Sequence, residues 1–138
     1  MTKTVTVTMI VHQGADEEIQ TKVPGTYFAK DDKHYIFFQE EVEGVCEPVK
    51  TRIEMSRNRL SLAKTGGVKA ALIYDLECTP VTCYHTPAGI MEVKMETKQI
   101  TIQEEEHRIV AKLFYDLELS GTVITDCDVE VIVESVIE

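Results

Sequence analysis

Thiols and an imidazole form the first group of residues whose types could do chemistry. Cys78 and Cys83 enclose four residues, His85 follows Cys83 by two positions, and Cys127 lies near the end of the chain. Zinc prefers thiolate and imidazole ligands, and a thiol beside an imidazole is a common nucleophile and base. The Cys78–Cys83 spacing is at the outer limit of the pairs that bind zinc and contains Pro80, so it is a weak signal, and no third orienting group accompanies Cys83 and His85. We therefore predict free thiols, no metal, no cofactor and no catalysis.

Polar residues on otherwise apolar strand faces form the second group. Glu40 and Lys64 each continue, at two-residue steps, a face of aliphatic or aromatic residues, Tyr84 and Thr86 share a face, and Tyr115 lies on an apolar face. Alternate residues of a strand point to the same side, so all five are predicted to point inward. There they could orient the polar end of a small, partly apolar ligand. Alternatively, Glu40 and Lys64 are solvated at the rim or form a structural ion pair.

The elements that position these residues are predicted to be strands. Val, Ile and Thr supply 43 of the 138 residues, and such β-branched side chains favour strands over helices. Period-two alternation recurs through eight to ten segments, with turns that include Asp31–Asp32, Glu104–Glu106 and Ser120–Gly121. An open meander would leave two unpaired edges. The prediction is one all-β domain over residues 1–138, closed into an antiparallel up-and-down barrel.

Charge and hydropathy limit the partners that are expected. The formal net charge is -10 and the pI is about 4.8, so the average surface repels phosphate backbones and anionic lipids. The first residues alternate where a signal peptide would be continuously apolar. We expect a cytoplasmic protein that binds neither nucleic acid nor membrane, and the sequence leaves the oligomeric state open.

Four stretches resemble a known family in their order and spacing, which span nearly the whole chain. They are similar to the YwiB-like family of small bacterial proteins: Gly25–Glu40, Leu60–Gly66, Tyr84–Gly89 and Phe114–Gly121. That family resembles the calycins, the lipocalins and fatty-acid-binding proteins, and has no assigned biochemical activity. The resemblance implies a calycin-like barrel with an enclosed interior and leaves the function open.

Two functional hypotheses follow. The first is an uncharacterised cytosolic barrel that binds a small, partly apolar or amphipathic ligand in its interior. The alternative is a non-enzymatic protein-interaction or structural domain that uses its outer surface. Ile10, Val110 and Phe114, on otherwise polar strand faces, would supply an exposed apolar strip for the alternative.

Overall fold

The computed structural model describes residues 3–14, 18–41, 46–57 and 59–136, apart from the side chains of Thr86 and Val123. These residues form strands and no helix, which confirms the all-β prediction, and none of them forms a helix that could span a membrane. The strands are β1 (Lys3–Gln13), β2 (Ile19–Lys30), β3 (Lys33–Glu40), β4 (Val49–Ser56), β5 (Arg59–Gly66), β6 (Ala70–Asp75), β7 (Val81–Thr86), β8 (Gly89–Glu105), β9 (Arg108–Leu119) and β10 (Thr122–Ser135).

One antiparallel sheet contains all ten of these strands in the order β6-β5-β4-β3-β2-β1-β10-β9-β8-β7. Strands β1 and β10 pair from Val5↔Ser135 to Gln13↔Cys127 and so join the two ends of the chain. The sheet edges, β6 and β7, meet near a single bridge, where Lys69 and His85 exchange two backbone hydrogen bonds of 3.0 and 2.8 Å. The result is the predicted up-and-down barrel, nearly closed.

Two of the predicted turns are tight hairpins with left-handed backbone angles. Asp31 and Asp32 have φ of 54° and 62°, and Ser120 and Gly121 have φ of 50° and 85°. Positive φ at both central residues is typical of type I′ turns, whose twist matches that of the flanking strands. These turns therefore set the register of the β2–β3 and β9–β10 pairs.

The predicted turn at Glu104–Glu106 is wrong in part. Glu104 and Glu105 continue β8 and pair with Ile109 and Arg108, so the chain reverses at Glu106 and His107. The ladder to β9 continues to satisfy the backbone groups of the two glutamates. The inward face of β8 consequently extends to Glu104.

The barrel interior is filled by side chains from alternate positions of the strands. Ile36, Ile53, Met55 and Leu60 are fully buried, and a cluster of aliphatic and aromatic residues continues from them around the barrel. Interiors packed in this way leave few voids larger than a water molecule. We call this cluster the buried core.

Candidate functional site

Three polar side chains meet at the end of the barrel where β3 begins, which we call the His34 end. Tyr27 on β2, His34 on β3 and Glu104 on β8 all occupy inward positions of their strands. The Tyr27 hydroxyl lies 2.7 Å from His34 Nδ1, and His34 Nε2 contacts Glu104 Oε1. Because β3 and β8 are not neighbours in the sheet, the second contact crosses the barrel. We call these residues the Tyr27–His34–Glu104 network.

The hydrogen-bond pattern assigns a role to each group. His34 Nε2–H donates a hydrogen bond to the Glu104 carboxylate, which leaves Nδ1 to accept the hydrogen bond that the Tyr27 hydroxyl donates. The two rings stack with centroids 5.7 Å apart. Burial, followed by the Glu104 carboxylate, raises the pKa of Tyr27. The Tyr27 hydroxyl therefore keeps its proton, so it acts as a hydrogen-bond donor and not as an ionised nucleophile.

Two cavities border the network. The larger, of about 930 Å³, lies between the β2–β3 and β4–β5 turns, and His34, Ile102 and Glu104 form part of its wall. The smaller, of about 130 Å³, is bounded by the same network and by Lys3 and Arg108. The larger volume is within the range of small-molecule sites, roughly 300–1,000 Å³.

Glu40 and Lys64 point inward at the opposite end, which we call the Glu40 end. Both are half-buried, and the Glu40 carboxylate accepts a hydrogen bond of 3.3 Å from the Thr51 hydroxyl. Lys64 is paired in the ladder with Thr51 and Ala70. No ion pair within 4.0 Å joins Glu40 to Lys64, so the structure does not form the pair that we considered from the sequence.

The predicted tyrosines point into the barrel. Tyr115 is buried, and the Tyr74 hydroxyl donates to its oxygen at 3.5 Å with the rings edge to face. Burial raises the pKa of both, that of Tyr74 to about 12. Tyr84 is half-buried and packs against the buried core. Thr86 ends β7, and its side chain lies outside the described residues. The predicted site residues are thus divided between the core and the Glu40 end.

The thiol and imidazole group does not converge on a cavity. Cys83 and His85 share the exposed outer face of β7, and no hydrogen bond joins them. All four cysteines are free, with Cys127 buried and the others exposed. The described residues contain no group of three or more His, Cys, Asp or Glu arranged to hold a metal ion.

The predicted exposed apolar strip is also wrong. Val110 is only 6% exposed, and Ile10 and Phe114 are half-buried. All three lie on the outer face, where Val110 is flanked by Ile132 on the next strand. The three residues therefore do not form an exposed apolar strip.

The sequence analysis missed the Tyr27–His34–Glu104 network, although part of its signal was present. Each of the three residues continues an inward face at two-residue steps, as Glu40 does. The missing information was which distant strands meet across the barrel end. Only His34, between the tight β2–β3 turn and the core residue Ile36, was fixed by local pattern.

Comparison with known proteins agrees with this architecture of a nearly closed, antiparallel β-barrel. Residues 4–131 match DUF1934, a domain of unknown function, and the chain belongs to that family. A relative is the uncharacterized beta-barrel protein YwiB of Bacillus subtilis (strain 168), which is 26% identical over 109 residues, or 79% of this chain and 75% of YwiB. The crystal structure of the Bacillus subtilis ywiB protein matches with a TM-score of 0.81 at 22% identity, covering 99% of this chain and 92% of that one. The resemblance inferred from the sequence is confirmed.

Proposed function

We propose that this protein is a non-enzymatic, cytoplasmic barrel that binds a small, partly apolar ligand at the His34 end. The observation that carries the proposal is the cavity of about 930 Å³ whose wall includes His34 and Glu104. Small-molecule sites typically combine a concave surface with a few convergent polar groups. The Tyr27–His34–Glu104 network is such a group.

The lining of the cavity supports a ligand with one polar and one apolar part. Ala29 and Ile102 supply apolar surface, whereas Lys30 and Arg57 supply positive charge at a rim that also carries the carboxylates of Asp31 and Asp32. Lys33 is already paired with Glu54, with 3.0 Å between Lys33 Nζ and Glu54 Oε1. We expect the polar part to reach the network or the rim cations, and the apolar part to cover Ile102.

The packing of the buried core supports placing the ligand at this end of the barrel. Ile36, Ile53 and Met55 are fully buried in the interior, so a ligand there would have to displace packed side chains. The cavities of about 930, 130 and 610 Å³ do not include Glu40, Lys64, Tyr84 or Tyr115 in their lining. The proposal keeps the ligand class expected from the sequence and assigns its polar end to another part of the barrel.

Binding without catalysis is the role that the network supports best. A phenol, an imidazole and a carboxylate in series resemble an acid–base relay, but a relay needs a group that loses its proton readily. The raised pKa of Tyr27 works against that loss. The three groups instead present a fixed set of donors and acceptors.

The proposal can be tested with hexanoate, hexanol and hexylamine as probes, followed by amide chemical shifts in NMR titrations. We expect the largest shifts at His34 and Ile102, and about a tenfold loss of affinity for the preferred probe in His34→Ala, equivalent to about 1.4 kcal/mol. The matched control is His12→Ala, at an exposed position on the outer face of β1, which should bind as the wild type does. Shifts centred elsewhere, equal binding by His34→Ala, or no shifts with any of the three probes would contradict the proposal.

A further inference from the structure

Another concave surface lies on the outside of the barrel, away from the His34 end. It is a groove of about 610 Å³ over strands β2 to β5, which we call the β2–β5 groove. Among the described residues, its lining contains two cations, Lys50 and Arg52, and no carboxylate. The chain has 24 acidic residues and a net charge of -10, so a groove with only positive charge departs from the average surface.

An exposed aromatic ring borders the same groove. Phe37 points outward from β3 and is 37% exposed. Its ring stacks on Phe28 with centroids 5.7 Å apart, and Phe28 stacks on Tyr35 with centroids 4.9 Å apart. These contacts on one side fix the orientation of the Phe37 ring and leave part of its surface open to a ligand.

The sheet register places the cations beside this ring. Arg52 is directly opposite Phe37 in the β3–β4 ladder, and Lys50 is opposite Gln39, one pair further along the same face. Side chains directly opposite each other on one sheet face are about 5 Å apart at their Cβ atoms. An aromatic surface and a guanidinium are therefore available within the span of one small ligand.

The positive charges of the groove are not neutralised within the described part of the chain. No carboxylate lies within 4.0 Å of the charged groups of Lys50 and Arg52 there, whereas Lys33 is paired with Glu54, and Arg59 with Asp75, nearer the His34 end. Lys50 and Arg52 thus line the groove without such a partner and are available to an anionic ligand.

We propose that the β2–β5 groove binds a free nucleoside phosphate, with the base stacked on Phe37 and the phosphate bound by Arg52 and Lys50. A guanidinium can bind phosphate with two parallel hydrogen bonds. Stacking on an aromatic side chain contributes about 1–3 kcal/mol per base. Thr26 and Gln39 on the groove wall can hydrogen-bond the sugar or the base edge.

The charge of the rest of the surface favours a free nucleotide over a nucleic acid strand. The outer faces of β9 and β10 carry acidic residues that include Asp116, Asp128 and Glu130. A polyanion would be repelled by these residues at long range, in keeping with the net charge, while a single nucleotide meets only the groove. This site is separate from the one under Proposed function, and each can fail without the other.

The test is isothermal titration calorimetry of the intact chain with ATP, adenosine, inorganic triphosphate and a single-stranded oligothymidylate. We expect saturable ATP binding and at least about tenfold weaker binding of both adenosine and inorganic triphosphate, because each lacks one of the two recognised groups. The oligothymidylate should bind no more tightly than ATP.

Matched variants assign the binding to the groove. Arg52→Gln and Phe37→Leu should each weaken ATP binding at least about tenfold. The controls are Lys112→Gln and Phe114→Leu, which remove the same kinds of group from the outer face of β9 and should leave ATP binding unchanged. Retained folding of each variant is checked by its amide NMR spectrum.

Four results would overturn the proposal. They are no heat and no amide shifts with ATP, unchanged ATP affinity in both Arg52→Gln and Phe37→Leu, inorganic triphosphate binding as tightly as ATP, and oligothymidylate binding more tightly than ATP. The third would indicate simple charge attraction. The fourth would identify a surface for single-stranded nucleic acid.

Discussion

The buried core and the His34 end are built from the same alternating strands but differ in what fills them. In the core, inward positions carry aliphatic and aromatic side chains with no exposed surface, such as Ile36, Ile53 and Met55. At the His34 end, inward positions carry the polar Tyr27–His34–Glu104 network beside a cavity of about 930 Å³. One strand pattern thus gives a solid interior and an open end.

This difference shows why an inward-facing residue is not necessarily a ligand-binding residue. Tyr115 points inward and contacts Tyr74 and Cys127, so it contributes to the packing of the core and not to a ligand site. His34 also points inward, but the β2–β3 and β4–β5 turns beside it leave a cavity open. If this comparison holds, the core is tightly packed and the inward-facing charges Glu40 and Lys64 act independently of each other.

The largest expected effect is the loss of core packing in Ile53→Ala. Ile53 is fully buried, so its truncation should leave a cavity and lower the free energy of unfolding by about 2–5 kcal/mol. Urea denaturation monitored by circular dichroism measures this. The same substitution at Ile90, which is 67% exposed, should cost less than about 0.5 kcal/mol. A cost below about 1 kcal/mol at Ile53 would mean that the interior is loosely packed, and the comparison would fail.

The second effect is a loss of stability at alkaline pH, which comes from the core tyrosines. Burial raises the pKa of Tyr74 from 10.0 to about 12. The free energy of unfolding is unaffected by Tyr74 ionisation below pH 10 and falls as the pH rises toward 12, because Tyr74 loses its proton in the unfolded chain first. The expected loss is about 2–3 kcal/mol.

Urea midpoints at pH 8, 10, 11 and 12, for the wild type and for Tyr74→Phe, measure this dependence. The variant should lose less stability over the upper part of the range, because phenylalanine does not ionise. Some dependence should remain, since burial also raises the pKa of Tyr115. An identical pH dependence for the two proteins would show that solvent reaches Tyr74 and that the core is open.

A smaller effect, of opposite sign, is expected for Thr97→Val. Thr97 is buried on β8 opposite Tyr115, and its hydroxyl has no hydrogen-bond partner among the described residues. Valine has the same shape without the polar atom, so we expect a gain of about 1 kcal/mol in the free energy of unfolding. Thr97→Ser, which keeps the hydroxyl and loses the methyl group, should instead lower it. Destabilisation by Thr97→Val would mean that the Thr97 hydroxyl has a hydrogen-bond partner in solution, and that the core is not purely apolar at this position.

The fold could be predicted from the sequence because its determinants are local. Alternation identified the strands, and the residues at Asp31–Asp32 and Ser120–Gly121 identified two tight turns. The bulges, at the register shifts between Thr97 and Gln99 and between Val123 and Thr125, leave no comparable local signal. Each inserts one residue and changes which later positions face inward.

The candidate site could be predicted less well because it depends on contacts between distant strands. His34 and Glu104 are separated by 70 positions in the chain, and their contact depends on how far the barrel end narrows. Two-residue alternation alone placed Val110 correctly on the outer face, but the burial of Val110 depends on neighbouring strands. A period-two pattern determines the face of the sheet to which a side chain points. The exposed fraction of that side chain and its contacts across the barrel depend on how the sheet closes.

The smallest effect concerns Glu40 and Lys64, the two charges that the sequence places on inward faces. Glu40 accepts a hydrogen bond from Thr51, and Lys64 has no ion pair with it. We expect Glu40→Gln and Lys64→Gln each to change the free energy of unfolding by less than about 0.5 kcal/mol. A double-mutant cycle in urea should give a coupling energy below about 0.3 kcal/mol. A coupling of about 1 kcal/mol or more would show that the two charges pair in solution, and the Glu40 end would then resemble the His34 end, with a polar contact within the barrel.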